Sequence, residues 1–118
     1  MSAKYDEPLA QISVEELAEL LASGVENIQL LDVREPEEVD IANIDGFVNL
    51  PLSQFSDWAE QIPTKLVTDA ETLVLCHHGI RSAQMCQWLI TQGFTNVKNI
   101  SGGIAAYSMR VDRRIPQY

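Results

Sequence analysis

The segment Cys76-His77-His78-Gly79-Ile80-Arg81-Ser82 gathers a thiol, two imidazoles, a guanidinium and a hydroxyl within seven residues. The thiolate is the nucleophilic form of cysteine, and a helix N-terminus and a nearby cation both favour it. This segment offers both. The apolar run Thr72-Leu73-Val74-Leu75 reads as a strand leading into Cys76, and Ala83 to Gln92 reads as a helix leading out. Arg81 follows the cysteine by five positions. Gly79 is free to take positive φ, so the intervening backbone can curl round the sulfur. Successive N–H groups in such a curl form an anion nest. A nest that holds a thiolate would also hold a persulfide anion, Cys76–S–S⁻. Ser82 can add its hydroxyl in the first helical turn.

Plainer readings compete. A free cysteine is often simply core, but His-His-Gly and Arg-Ser are poor core company for Cys76. Cys86 sits mid-face on the following helix, where a core role is preferred to that of a resolving thiol. Two cysteines admit a disulfide by count, but the helix would turn Cys86 away from the loop. A Cys-His-His metal site is disfavoured: adjacent residues converge poorly on one tetrahedral ion, and the chain has no other histidine. A histidine could serve as general base beside the thiol. Sulfur transfer needs no strong base once the thiolate is stabilised, so His77 and His78 read mainly as pocket-rim groups. No metal and no organic cofactor is expected.

The elements that must position this loop follow from periodicity and punctuation. Residues 1–10 carry no pattern and read as a loosely ordered arm. Ile12 starts a short edge strand. Ser13 and Glu16 form a capping box for a helix over 14–23, with Val14, Leu17, Leu20 and Leu21 at helical spacing and Gly24 as the stop. Ile28 to Val33 reads as a buried strand, and Pro36 suits the first turn of a short helix. Asn43-Ile44-Asp45-Gly46 is turn chemistry before a third strand, Phe47-Val48-Asn49-Leu50. A helix is predicted over 53–61, with Phe55, Trp58 and Ile62 on one side and Pro63 ending it. The strand 72–75 and the helix of about 80–92 follow, the latter with Ala83, Cys86, Leu89 and Ile90 on one face. Val97 to Ile100 is a last strand, Gly102-Gly103 opens a final helix, and Val111 to Tyr118 is an extended tail.

Strands that alternate with helices imply a mainly parallel sheet covered on both faces. The predicted fold is a three-layer α/β/α domain of about five strands spanning residues 1–118. Such folds bind ligands at the carboxyl ends of their strands, where Cys76, the residues after Asp32 and the Gly102-Gly103 turn all fall. The net charge of −9 and a pI near 4.5 argue against a nucleic-acid surface. Arg110, Arg113 and Arg114 read as ordinary surface charge. Apolar runs of four or five residues are far too short to cross a bilayer, so no membrane partner is expected. The N-terminal residues lack the pattern of a secretory signal, and there is no disulfide framework. A reducing, cytoplasmic location is therefore expected. No coiled-coil pattern is evident, and a monomer is expected.

Three segments together resemble the rhodanese family of sulfurtransferases. Leu31-Asp32-Val33-Arg34-Glu35-Pro36-Glu37-Glu38 is similar to its N-terminal signature. Cys76 through Gln84 is similar to its active-site loop and helix start. Gly93-Phe94, Asn96-Val97 and Ser101-Gly102-Gly103-Ile104-Ala105-Ala106-Tyr107 are similar to its C-terminal signature. The resemblance implies a ping-pong reaction in which Cys76 takes a sulfane sulfur from thiosulfate or a persulfide donor. The sulfur then passes to cyanide, a thiol or a protein acceptor. The resemblance also implies that Cys76 is the catalytic cysteine and Arg81 the loop-closing arginine. Asp32 and Arg34 fall in a motif that is mainly structural. Asn43 and Tyr107 stand where the family often has His and Trp, and both read as packing variations at the pocket.

Loop length separates related chemistries. Four residues lie between Cys76 and Arg81. Phosphatases and arsenate reductases of the related fold resemble a loop one residue longer, with room for a tetrahedral oxyanion. The shorter loop fits a sulfur atom, and sulfur transfer is preferred. The alternatives are a sulfur carrier loaded by a protein persulfide and a regulatory binding module with little turnover.

Overall fold

The computed structural model describes residues 8–118. The arm expected over residues 1–10 lies mostly outside them. Five parallel strands form one sheet: β1 (Gln11–Ile12), β2 (Ile28–Asp32), β3 (Val48–Asn49), β4 (Glu71–Leu75) and β5 (Val97–Ile100), in the order β1-β5-β4-β2-β3. The longer helices are α1 (Val14–Ser23), α5 (Ile80–Thr91) and α6 (Gly103–Arg110); α2 (Pro36–Ile41), α3 (Phe55–Trp58) and α4 (Ile62–Lys65) are short. The predicted three-layer α/β/α architecture is the one observed.

β4 is the central strand, and its period of two divides the core. Leu73 and Leu75 join Val14, Leu17, Ile100 and Ile104 on the α1/α6 face. Val74 and Cys76 join Leu31, Trp58, Met85, Cys86 and Leu89 on the other. The strand's alternation therefore decides that the Cys76 side chain points toward α5.

Local signals explain the element ends. Ser13 Oγ accepts the Glu16 N–H and Glu16 Oε1 accepts the Ser13 N–H, each at 3.0 Å, which closes the capping box of α1. Two predictions need correction. The helix expected over 53–61 is instead a 3₁₀ turn (Leu52–Gln54), α3, a second 3₁₀ turn (Ala59–Gln61) and α4. Pro63 does not end a helix; it lies in the first turn of α4. There its missing N–H costs nothing, whereas a continuous helix would have set its ring against the carbonyl four residues back. Edge-to-face contacts among Phe55, Trp58 and Trp88, with centroids 4.9 to 6.1 Å apart, anchor this irregular stretch. The buried face of α5 is Ser82, Met85, Cys86 and Leu89, while Ala83 and Ile90 are only half-buried. The face is rotated because Ser82, though polar, turns inward to the sulfur.

Candidate active site

Cys76 follows β4 directly, and its backbone is gripped from the opposite face. The Ile104 and Ala105 N–H groups, in the first turn of α6, donate to the carbonyls of Cys76 (2.9 Å) and His77 (3.0 Å). These are donors that a helix start leaves without partners of its own. Gly103 makes the approach feasible: any Cβ there would overlap both carbonyls, and its φ is +62°. The chain then reverses through Gly79, at φ +99°, which serves as the N-cap of α5.

The reversal turns the Gly79 N–H onto Cys76 Sγ at 3.0 Å, and Ser82 Oγ lies 3.2 Å from the same sulfur. Cys76 is 1% exposed. Ser82 also donates to Asn99 Oδ1. Asn99 Nδ2 in turn donates to the Gly79 carbonyl (3.0 Å) and to Gln11 Oε1 (3.2 Å), which fixes the orientation of the amide. Ser82 has one proton to give. With the thiol, Sγ–H donates to Ser82 Oγ while the Ser82 hydroxyl proton is donated to Asn99 Oδ1. With a thiolate, the hydroxyl can swing to the sulfur.

Arg81 is engaged by Glu38. Its Nη1 and Nη2 meet the two oxygens of Glu38 at 2.7 and 2.9 Å, a forked pair. Glu38 is in α2, where its carboxylate also accepts the Glu35 N–H at 2.9 Å. The Arg81 hydrogen bonds, with the Glu35 and Tyr118 contacts, hold its carboxyl down to about 2 against the opposing effect of burial. The same pairing with Glu38 raises the Arg81 pKa.

Asp32 and Arg34 form a second pair at the end of β2, beside Leu75 in register. Arg34 Nη2 meets Asp32 Oδ2 at 2.7 Å, and Arg34 is wholly buried. Its remaining donors reach the carbonyls of Ala42 (2.8 Å) and Glu38 (3.2 Å) and the Tyr118 hydroxyl (2.9 Å). That hydroxyl donates to Glu38 Oε1 at 3.0 Å, so Tyr118 bridges the two pairs. The Tyr118 ring lies flat on His77, with centroids 3.9 Å apart and planes 5° apart. Burial pushes the His77 pKa down, and the charge of His78 adds to this.

The structure thus gathers Cys76, Gly79 and Ser82 around one sulfur. His77 is half-buried and His78 exposed at the rim, Ile80 is 71% exposed, and Arg81 is engaged by Glu38. Cys86 is a free, fully buried thiol whose pKa burial pushes up to about 12, with the charge of Cys76 adding to it. Sequence reasoning missed the contributions of Glu38, Asn99 and Tyr118. Glu38 stood inside the N-terminal signature, three residues after a capping Glu35. Nothing local marked Asn99 or Tyr118.

Comparison with known proteins identifies the family and the fold. A family model of the rhodanese-like domain matches residues 13–110. A rhodanese-like/PpiC domain-containing protein 12 of Arabidopsis thaliana, a chloroplastic protein, is 49% identical over 95% of this chain. The chain spans only 38% of that relative's length. A sulfurtransferase of Allochromatium vinosum is 33% identical over 83% of this chain and 87% of its own length. Among solved structures, the human single-domain sulfurtransferase TSTD1 superposes with a TM-score of 0.74 at 27% identity, covering 87% of this chain and 98% of that one. The expected cytoplasmic location does not stand, because the relative at 49% identity is chloroplastic. By family model, sequence relatives and structure together, the chain belongs to the rhodanese-like domain family.

Proposed function

We propose that this chain is a sulfurtransferase that carries a sulfane sulfur as a persulfide on Cys76. One observation supports this above the rest: a buried sulfur at the end of the central strand, held by the Gly79 N–H and the Ser82 hydroxyl at the N-terminus of α5. Neutral donors that converge on one point suit a sulfur anion: the Gly79 N–H is already aimed at Sγ, and the Ser82 hydroxyl can turn from Asn99 to join it.

The reaction has two halves. The Cys76 thiolate attacks the outer sulfur of thiosulfate. A new S–S bond forms to Cys76, the donor's own S–S bond breaks, and its electron pair leaves with sulfite. Cys76–S–S⁻ then yields its outer sulfur to an acceptor thiolate or cyanide, and the Cys76 thiolate returns. An organic or protein persulfide can replace thiosulfate as donor. Gly79 and Ser82 hold the anion in each half-reaction. His77, stacked under Tyr118, lies in the same loop; burial pushes its pKa down, which favours the uncharged imidazole.

Intact mass after incubation with thiosulfate tests this reading. The expected result is a gain of about one sulfur, reversed by a thiol reductant and lost in Cys76→Ala. Equal loading of Cys76→Ala, or none in the unaltered protein, overturns it. Cys76-dependent hydrolysis of para-nitrophenyl phosphate would favour a phosphatase instead. A second reading, a sulfur carrier loaded by a protein persulfide, draws support from the net charge of −9, which repels a small dianion. Rapid turnover saturating at micromolar thiosulfate would remove that support.

A further inference from the structure

The cation next to the nest is already taken. Arg81 is the second residue of α5, just before Ser82, yet both its terminal nitrogens are bound by Glu38, at 2.7 and 2.9 Å. The other guanidinium nearby, Arg34, is wholly buried and committed to Asp32. Glu38 is itself secured by the Glu35 N–H and the Tyr118 hydroxyl, and the Tyr118 ring is stacked on His77 in the loop. A carboxylate tied at four points does not yield a forked partner to a passing solute. What faces the sulfur is then a set of neutral groups, the Gly79 N–H and the Ser82 hydroxyl, which can turn its proton to a thiolate, within a molecule of net charge −9.

We infer that Glu38 is a specificity-determining positioning residue: by holding Arg81 it sets the site against dianionic sulfur donors and toward donors of lower charge. The inference rests on the Cys76 persulfide reading. Two donors of similar shape separate charge from chemistry. Thiosulfate is a dianion, and methanethiosulfonate is a monoanion with a methyl group in place of one oxygen. Each delivers its outer sulfur to the Cys76 thiolate, and the electron pair of the broken S–S bond leaves with sulfite or methanesulfinate.

The test is the rate of Cys76 loading, read by intact mass at low ionic strength. Glu38→Gln leaves the Arg81 charge uncompensated, so thiosulfate loading should rise about tenfold, the low end of what a local field change gives. Methanethiosulfonate loading should rise less, so the ratio of the two rates moves toward thiosulfate. Adding Arg81→Gln to Glu38→Gln should abolish that gain. A looser fold alone would not discriminate between the two donors. The unaltered protein supplies a check that needs no variant. With Arg81 neutralised, salt screens repulsion, and thiosulfate loading should speed up as ionic strength rises. A donor ratio in Glu38→Gln within about twofold of the unaltered protein, or thiosulfate loading that slows with salt, overturns the inference while leaving the persulfide intact. If neither donor loads Cys76, the persulfide reading fails and takes the inference with it.

Discussion

Two arginine–carboxylate pairs lie at the same edge of the sheet, bridged by one tyrosine hydroxyl, and they do different things. Arg34–Asp32 is sealed, with side chains 0% and 3% exposed. Arg81–Glu38 is open to solvent, at 35% and 20%. Their closest contacts have the same length, 2.7 Å. Context separates them. Every donor of Arg34 is spent within the fold, on Asp32, Ala42, Glu38 and Tyr118, so its charge is structural. Arg81 spends its terminal nitrogens on Glu38 alone and stays partly open to solvent, so its charge is balanced by that one carboxylate. Burial converts an ion pair into architecture, and partial exposure leaves it available to function.

The comparison is broken most forcefully at the sealed pair. Arg34→Ala strands the buried Asp32 carboxylate and the Ala42 carbonyl, which should cost about 3–5 kcal/mol. Urea denaturation measures it. A loss below about 1 kcal/mol would mean that burial does not distinguish the two pairs. Arg81→Ala is the matched change at the open pair. It should alter stability by no more than about 1 kcal/mol, since exposed pairs contribute little. Thiosulfate loading should nevertheless fall, because the uncovered Glu38 charge then faces the donor. Unchanged loading would place Arg81 outside the site altogether.

The smallest effect is the most specific. The Glu38 pKa falls from 4.5 to about 2 on folding, so the unfolded chain binds the proton more readily. The stabilisation from the pair is complete above pH 4.5 and is lost as pH drops toward about 2. The difference in melting temperature between the unaltered protein and Glu38→Gln should shrink across that window. A difference that stays constant there would mean the pair contributes nothing to folding.

Much of this was legible in one dimension. The capping box of Ser13 and Glu16, the parallel alternation, and the strand–loop–helix around Cys76 are all set by signals within a few residues. Such signals act through local hydrogen bonds and side-chain periodicity, which tertiary packing here reinforces. Gly79 and Ser82 were marked beforehand because their contacts to the sulfur span three and six residues. The single helix expected over 53–61 is not formed, because aromatic packing and Pro63 override its apparent helical period.

What only the tertiary structure decided is the electrostatics of the site. Arg81 meets Glu38 across 43 positions, Tyr118 meets Arg34 across 84 and Glu38 across 80, and Asn99 reaches Ser82 from the neighbouring strand. No local pattern encodes such partners, since they are neighbours only because the sheet order sets β2, β4 and β5 side by side. By itself the sequence determined that a thiol would stand at a strand end under a helix N-terminus. The fold determined which charge stands beside it, because an arginine's partner is settled by what packing brings within 3 Å of it.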